Sequence, residues 1–343
     1  MAETCLILAL ATLTAYVVLG GADFGGGFWD LTAGGAQRGG PLRGLLERSI
    51  TPVWEANHVW LPFLLVVLWT AFPRFFGSVT STLYIPLFGA TAGIILRGTA
   101  FVLRPHATSL GQARLFGAGF AVSSVLVPFC FGAAIGGIAS GRVPVGNAGG
   151  DPWSSWLNPT SITVGVLAVI TGAYLAAIFL AGDAERAGEP ELERATRRRA
   201  LISGVVAGAV ALGALAVVRS DARELYDGLT SGAGLALVIA SAILGIATLV
   251  LVWTERLTVA RFTAAAAVAC VIAGWAAAQS PYLLPGELTL DQAAASNATL
   301  VALVIAAGAG LALVLPSLFL LYRLVLRGRL DQPYQPLDMR WRS

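Results

Sequence analysis

The stretch Ser231-Gly-Ala-Gly-Leu-Ala-Leu-Val-Ile-Ala-Ser-Ala-Ile-Leu-Gly-Ile-Ala-Thr-Leu-Val-Leu-Val-Trp253 runs for twenty-three residues without a charge. A helix of that length covers about 30 Å, the thickness of a bilayer's hydrocarbon core. The run has no period-two alternation and is too long for a barrel strand. That leaves an α-helix, whose main-chain polar groups satisfy one another inside lipid. Eight further stretches read the same way, at about 4–24, 53–72, 78–103, 113–137, 159–181, 200–218, 260–279 and 299–326. The predicted fold is therefore all-α and integral to a membrane, with about nine transmembrane helices in a single transmembrane domain over residues 1–343. The segment 182–199, rich in charge and carrying a Gly-Glu-Pro turn, reads as a cytoplasmic loop, and 327–343 as a cytoplasmic tail. The first run, Cys5 to Leu19, has no basic stretch before it and no small-residue cleavage site after it, so it is expected to be a retained helix rather than a signal peptide.

Composition agrees. Of 343 residues, 57% are hydrophobic and 12% charged, about half the charge of an ordinary soluble domain. So little polar surface cannot cover a globule in water. A formal charge of +3 is too small to suggest nucleic acid. All 22 basic residues are Arg, which looks more like GC-rich codon usage than a signal. Cys5, Cys130 and Cys270 lie far apart in apolar runs and read as small hydrophobes, with no metal spacing or disulfide framework. There is no P-loop, dinucleotide fingerprint, HExxH pair or CxxCH haem attachment, so this chain alone is not expected to do covalent chemistry.

Orientation follows from the arginines in alternate connections. Arg38, Arg43, Arg48, Arg104, Arg114, Arg186, Arg194, Arg197, Arg198, Arg199, Arg256, Arg261, Arg323, Arg327, Arg329, Arg340 and Arg342 fall on one side, seventeen in all, against Arg74, Arg142, Arg219 and Arg223 on the other. The richer side is predicted to be cytoplasmic. The N-terminus is then outside and the C-terminus inside, as an odd number of helices requires.

Ionisable groups within the spans need a reason, because a charge at mid-bilayer costs several kcal/mol unless paired, hydrated or neutralised. Asp23 lies in Gly20-Gly21-Ala22-Asp23-Phe24-Gly25-Gly26-Gly27, where glycines let another backbone approach. It reads as a cap for the following segment, as a buried partner of an arginine, or as a proton-path acid. In Pro52-Val53-Trp54-Glu55-Ala56-Asn57-His58-Val59-Trp60, the i, i+3 spacing puts Glu55 and His58 on one face of the second helix. A desolvated carboxyl beside an imidazole can relay protons; the plainer alternative is an acid complementing the helix dipole, with Trp54 and Trp60 at headgroup level. Arg97 sits inside the third helix with Arg104 at its end, and Asp23 and Glu55 are the carboxylates nearest to it in depth, for a pair equally readable as structural or functional. His106 reads as an ordinary loop residue. Two histidines, one of them in a loop, argue against a bis-histidine haem site here.

At these residues the chain resembles subunit II of cytochrome bd-type quinol oxidases, along essentially its whole length. The likeness rests on helix 1 ending in Asp-Phe-Gly-Gly-Gly, on Pro52-Val-Trp-Glu-Ala-Asn-His-Val-Trp60, on Trp69-Thr-Ala-Phe-Pro73, on Arg97 and Arg104, and on Pro281-Tyr-Leu-Leu-Pro285 before the last helix. The resemblance implies a complex in the bacterial cytoplasmic membrane that takes electrons from quinol and reduces dioxygen to water. It places two b-type haems and one d-type or b-type haem in the partner, subunit I, and none in this chain. This chain would stabilise subunit I and supply a cytoplasmic proton route. Glu55 would be where protons enter, with Asp23 and His58 further along, while Arg97, Arg104, Trp54, Asn57 and Trp60 would serve ion pairing and the interface. A structural quinone among the helices, surrounding lipid and small accessory subunits are compatible with it. Three departures mark a divergent branch: Gly20 replaces the first acid of the family's Asp-Gly-Phe-Asp motif, Val102 stands for an acid between the two arginines, and His58 replaces Glu or Gln. A secondary transporter or channel is the competing class, since intramembrane acids and Gly-interrupted helices also mark substrate paths.

Overall fold

The computed structural model describes residues 1–327. The arginine-bearing tail from 328 onward, expected to be cytoplasmic, lies outside the described residues. Among them, eight helices are long and apolar enough to cross a membrane, and one bent pair brings the number to nine. The protein is a multi-pass membrane protein.

Helix 1 is Ala2–Leu31, made of α1 (Ala2–Ala15), a π-helical turn (Tyr16–Gly20) and α2 (Gly21–Leu31). An amphipathic helix α3 (Ala36–Ile50) follows, packing Leu42, Leu45, Leu46 and Ile50 into the core. The second span is α4 (Trp54–His58) and α5 (Trp60–Ala71), interrupted at Val59. After it, α6 (Pro73–Thr82) turns away by 119°. Sequence had placed this stretch partly within the third span. The turn arises because Phe72 precedes a proline and leaves the helical conformation (φ −132°, ψ 60°), and Pro73 then starts a new helix at its first position. The third span is α7 (Tyr84–Leu103), followed by α8 (Leu110–Ala139), α9 (Pro159–Arg186), α10 (Pro190–Asp221), a short α11 (Arg223–Leu229), α12 (Gly232–Trp253) and α13 (Leu257–Gln279). A two-stranded hairpin, β1 (Tyr282–Leu284) with β2 (Leu288–Thr289), and a one-turn helix α14 (Leu290–Ala293) lead into α15 (Asn297–Leu326).

The segment 182–199 is not the loop expected from its charge. α9 continues to Arg186 and α10 begins at Pro190, leaving a three-residue turn. The turn closes helically: Gly188 takes φ +68°, Glu189 N–H reaches back to Ala184 O at 3.0 Å, and Pro190 starts the next helix. The charges sit at or beside helix ends and pair with residues of other parts of the chain: Asp183 with Arg261 at 2.5 Å, Arg197 with Glu255 at 2.6 Å and Glu189 with Arg48 at 2.8 Å. High charge density did not mean loss of helix.

α9 runs through the centre. Its residues Ala173–Ile178 are all buried, and it packs against α2, α8, α10 and α13. Small residues allow these close crossings. Gly25 of α2 faces Gly172 of α9, and a Cβ at Gly25 would lie 1.9 Å from the Gly172 carbonyl oxygen. Without large side chains between them, dispersion between adjoining backbones holds such helices together in lipid. Trp29 Nε1 adds a hydrogen bond to Ala173 O at 2.8 Å across the same contact. α10, α12 and α15, by contrast, carry exposed Val205, Leu212, Ile243, Ile246, Leu313 and Phe319, apolar surface suited to lipid or another membrane subunit. On the arginine-poor face, Arg142 binds both carboxylate oxygens of Asp221 at 2.6 and 3.1 Å, tying the α8–α9 connection to the end of α10.

Candidate functional site

Of the residues singled out from sequence, Asp23, Asn57, His58 and Arg97 meet where α2, α4, α7 and α8 come together. Asp23 is 5% exposed, Asn57 4% and Arg97 3%. The Asp23 carboxylate accepts a hydrogen bond from Asn57 Nδ2 at 2.8 Å. Asn57 Oδ1 accepts one from the Tyr322 hydroxyl of α15. One asparagine thus joins the first, second and last helices, and it can do so because an amide offers a donor and an acceptor at once.

Arg97 makes no salt bridge among the described residues, although sequence suggested Asp23 or Glu55 as its partner. Its Nη2 donates to the main-chain carbonyl of Asp23 at 2.8 Å and its Nε to Ser124 Oγ at 3.1 Å, while Nη1 lies 3.4 Å from His58 Nε2. The rings of Phe24 and Phe120 sit 4.8 and 4.9 Å from the guanidinium carbon, close enough for cation–π attraction. The buried cation is solvated by a carbonyl, a hydroxyl, an imidazole and two aromatic faces, while the carboxylate of the same Asp23 is directed to Asn57. Gly27 makes room for this arrangement, since a Cβ there would meet Ser124 Oγ at 2.1 Å.

Arg104 does have a carboxylate partner, one that sequence reasoning passed over. Its Nη1 binds Asp30 Oδ2 at 2.7 Å, and Arg43 Nε binds the other oxygen at 2.5 Å. The signal was present in the spacing. Asp23 and Asp30 are seven apart on helix 1, as are Arg97 and Arg104 on the third span. Seven residues make two turns, about 10.5 Å along one face, so two such pairs on helices of like direction fall at matching depths.

Glu55 and His58 do not act as a pair in this chain. Glu55 is exposed and makes no side-chain hydrogen bond or salt bridge among the described residues, whereas His58 points inward. The segment α4 is a single short turn pinned by buried Asn57, so the outer residue is left at the surface. Trp54 is half-buried and packs against Phe101, ring centroids 5.5 Å apart. Trp60, expected at headgroup level, is instead interior, clustered with Tyr16, Phe24, Ala90 and Val127. His106 is exposed in a 3-10 turn, with Nδ1 3.1 Å from Val102 O.

His58 is poorly placed for a metalloporphyrin. His58 has Nε2 against a guanidinium and its ring wedged between Tyr16 and Phe24 at centroid distances of 5.8 and 5.3 Å, leaving no approach for a haem plane. No cluster of three or more His, Cys, Asp or Glu able to hold a metal ion occurs among the described residues.

With this geometry in view, comparison with known proteins is specific. Residues 1–325 match the family described as cytochrome bd terminal oxidase subunit II. A putative cytochrome bd menaquinol oxidase subunit II of Bacillus subtilis is 24% identical over 62% of this chain and 61% of its own length. The cytochrome bd ubiquinol oxidase subunit 2 of the same organism is 29% identical over 37% of this chain and 36% of its own. The cytochrome bd-I ubiquinol oxidase subunit 2 of Escherichia coli is 25% identical over 39% of this chain and 35% of its own. These matched stretches span less than two thirds of each relative. In three dimensions the chain is similar to a chain of the bd oxidase from Geobacillus thermodenitrificans, with a TM-score of 0.76, 24% identity, and coverage of 95% of this chain and 98% of that one, a likeness of fold. The chain belongs to the cytochrome bd terminal oxidase subunit II family.

Proposed function

We propose that this chain is the companion subunit of a quinol-oxidising, oxygen-reducing complex in the bacterial cytoplasmic membrane, and that it conducts protons from the cytoplasm. The observation that carries the reading is the buried polar cluster of Asp23, Asn57, His58, Arg97 and Tyr322, which begins two residues from exposed Glu55. Sustaining such a cluster inside an apolar bundle is costly, and intramembrane ionisable groups of this kind serve ion or proton paths.

In this reading the haems belong to subunit I, where they carry the electrons and bind dioxygen. This chain's residues handle protons and position. Glu55, at the end of the second span, takes a proton from the aqueous side. Asn57 and His58 lie one and two positions beyond Ala56, turned inward, and present hydrogen-bonding atoms to Asp23 and Arg97. Arg97 keeps a fixed positive charge in the interior and orients the His58 ring. The bias of arginines towards one set of connections supports a cytoplasmic Glu55 and an outside N-terminus. Protons consumed inside while quinol releases its own outside would generate a proton-motive force without pumping. The apolar outer faces of α10, α12 and α15 leave ample surface for lipid and for subunit I.

The test is Glu55→Gln in the assembled complex. Oxygen consumption with quinol is expected to slow while the visible haem spectrum is unchanged. Full turnover in that variant removes Glu55 from the route. Purification without a haem-bearing membrane partner would remove the companion role itself.

A further inference from the structure

Three buried polar atoms near this cluster have no hydrogen-bond partner among the described residues: the hydroxyl of Tyr16, Nδ1 of His58 and Nε1 of Trp60. Tyr16 is 6% exposed and Trp60 9%, and the two share one apolar cluster with Phe24, Ala90, Val127 and Cys130. The Tyr16 and His58 rings adjoin, their centroids 5.8 Å apart.

The chemistry of these atoms says what they lack. A guanidinium only donates hydrogen bonds, so His58 Nε2, 3.4 Å from Arg97 Nη1, must accept. A neutral imidazole that accepts at one nitrogen carries its hydrogen on the other, so His58 Nδ1 is a donor. Indole Nε1 is a donor as well. Two donors and a hydroxyl are therefore buried within or beside an apolar cluster without hydrogen-bond partners among the described residues. Each such group left unsatisfied costs about 1–3 kcal/mol, and buried groups of this kind are ordinarily satisfied by internal water.

Tyr16 is placed there by local structure. It opens the π-helical turn Tyr16–Gly20, and such turns within α-helices are frequent at functional sites. Its ring lies across Gly20, where a Cβ would come within 2.9 Å of the ring's Cε2, so only glycine accommodates that posture.

We propose that a water molecule is bound between the Tyr16 hydroxyl and His58 Nδ1, and that it carries the hydrogen-bonded path beyond His58 into the middle of helix 1, with Tyr16 as its positioning group. With two hydrogen bonds of about 2.8 Å, one water bridges polar atoms up to roughly 5.5 Å apart. The bound water stands on this geometry alone; its part in proton conduction rests on the function proposed above.

The experiment is a cryo-electron microscopy map of the purified assembled complex at a resolution that shows ordered water, repeated for Tyr16→Phe. A density peak within hydrogen-bond distance of both Tyr16 Oη and His58 Nδ1 is expected, and it is lost in Tyr16→Phe, which keeps the ring and its packing. Gly20→Ala, which displaces the ring, should lose the peak too. A map with ordered water elsewhere in this chain and none here, or a peak unchanged in Tyr16→Phe, overturns the site. In oxygen uptake Tyr16→Phe should be several-fold slower with an unchanged haem spectrum, and undiminished turnover overturns the conducting role. If Glu55→Gln turns over normally while the peak is present and sensitive to Tyr16→Phe, the cytoplasmic route fails and the water site stands.

Discussion

Two glycines four residues apart on helix 1 should respond oppositely to the same substitution. Alanine at Gly25 would put its Cβ 1.9 Å from the Gly172 carbonyl oxygen and 2.7 Å from the Ala173 nitrogen. Carbon and oxygen approach to about 3.3 Å, so the two backbones must separate by roughly 1.4 Å, with no flexible side chain to yield instead. Overpacking of this kind costs about 1–3 kcal/mol. Moving α2 off α9 also stretches the Trp29–Ala173 hydrogen bond, now 2.8 Å, which contributes about 1 kcal/mol. Gly21 has helical dihedrals (φ −59°, ψ −40°), and a Cβ there meets nothing within 4 Å. Gly21→Ala should therefore stabilise by about 0.5–1 kcal/mol through the unfolded chain. The two variants should differ by about 4 kcal/mol. The assay is the thermal unfolding midpoint of the detergent-purified complex, compared at one heating rate because complexes of this size unfold irreversibly. Gly25→Ala is expected several degrees below Gly21→Ala. Equal midpoints would refute the backbone contact between α2 and α9.

Two further substitutions probe the polar sites. Asn57→Ala strands the buried Asp23 carboxylate at a cost of about 1–3 kcal/mol, and the double variant with Asp23→Ala should lose clearly less than the sum of the singles; strict additivity would show that the two side chains do not interact. Asp30→Asn removes the negative charge shared by Arg43 and Arg104, whose side chains are 24% and 29% exposed and so regain some hydration, and it turns one of the two acceptor oxygens into an amide donor facing an arginine. A loss of about 1–3 kcal/mol is expected in the same unfolding assay, and a change below roughly 0.5 kcal/mol would mean the bridge is ornamental to stability.

The membrane-crossing helices read from hydropathy are present, eight or nine among the described residues, because the signal for crossing a membrane is local: enough apolar residues in a row. Breaks were less legible. The interruption at Val59 is announced only indirectly, by Pro62, which offers no N–H to the His58 carbonyl four residues back, whereas the turn at Phe72-Pro73 could have been read from the proline itself. The residues of the site were largely named in advance, since a charge in an apolar run stands out. Their partnerships were not. Arg97 was matched to a carboxylate by charge, yet it binds the carbonyl of Asp23, while that carboxylate is held by Asn57, itself held by Tyr322. Tyr16 and Tyr322, unremarkable among other apolar spans, became site residues only through their neighbours. Two of the departures from the family's motifs, Gly20 and His58, meet at the ring of Tyr16.

By itself the sequence determined that this chain lives in lipid, how many times it can cross, which residues are too costly to be there without purpose, and which family it resembles. Each of these depends on residue type and on spacing along the chain. Only the tertiary structure decided that Glu55 faces outward and His58 inward, that Asp30 rather than Asp23 supplies the carboxylate for an arginine, and that Tyr16 reaches the imidazole. Those outcomes depend on helix rotation and close approach, which glycines at Gly20, Gly25 and Gly27 permit and which no one-dimensional pattern encodes.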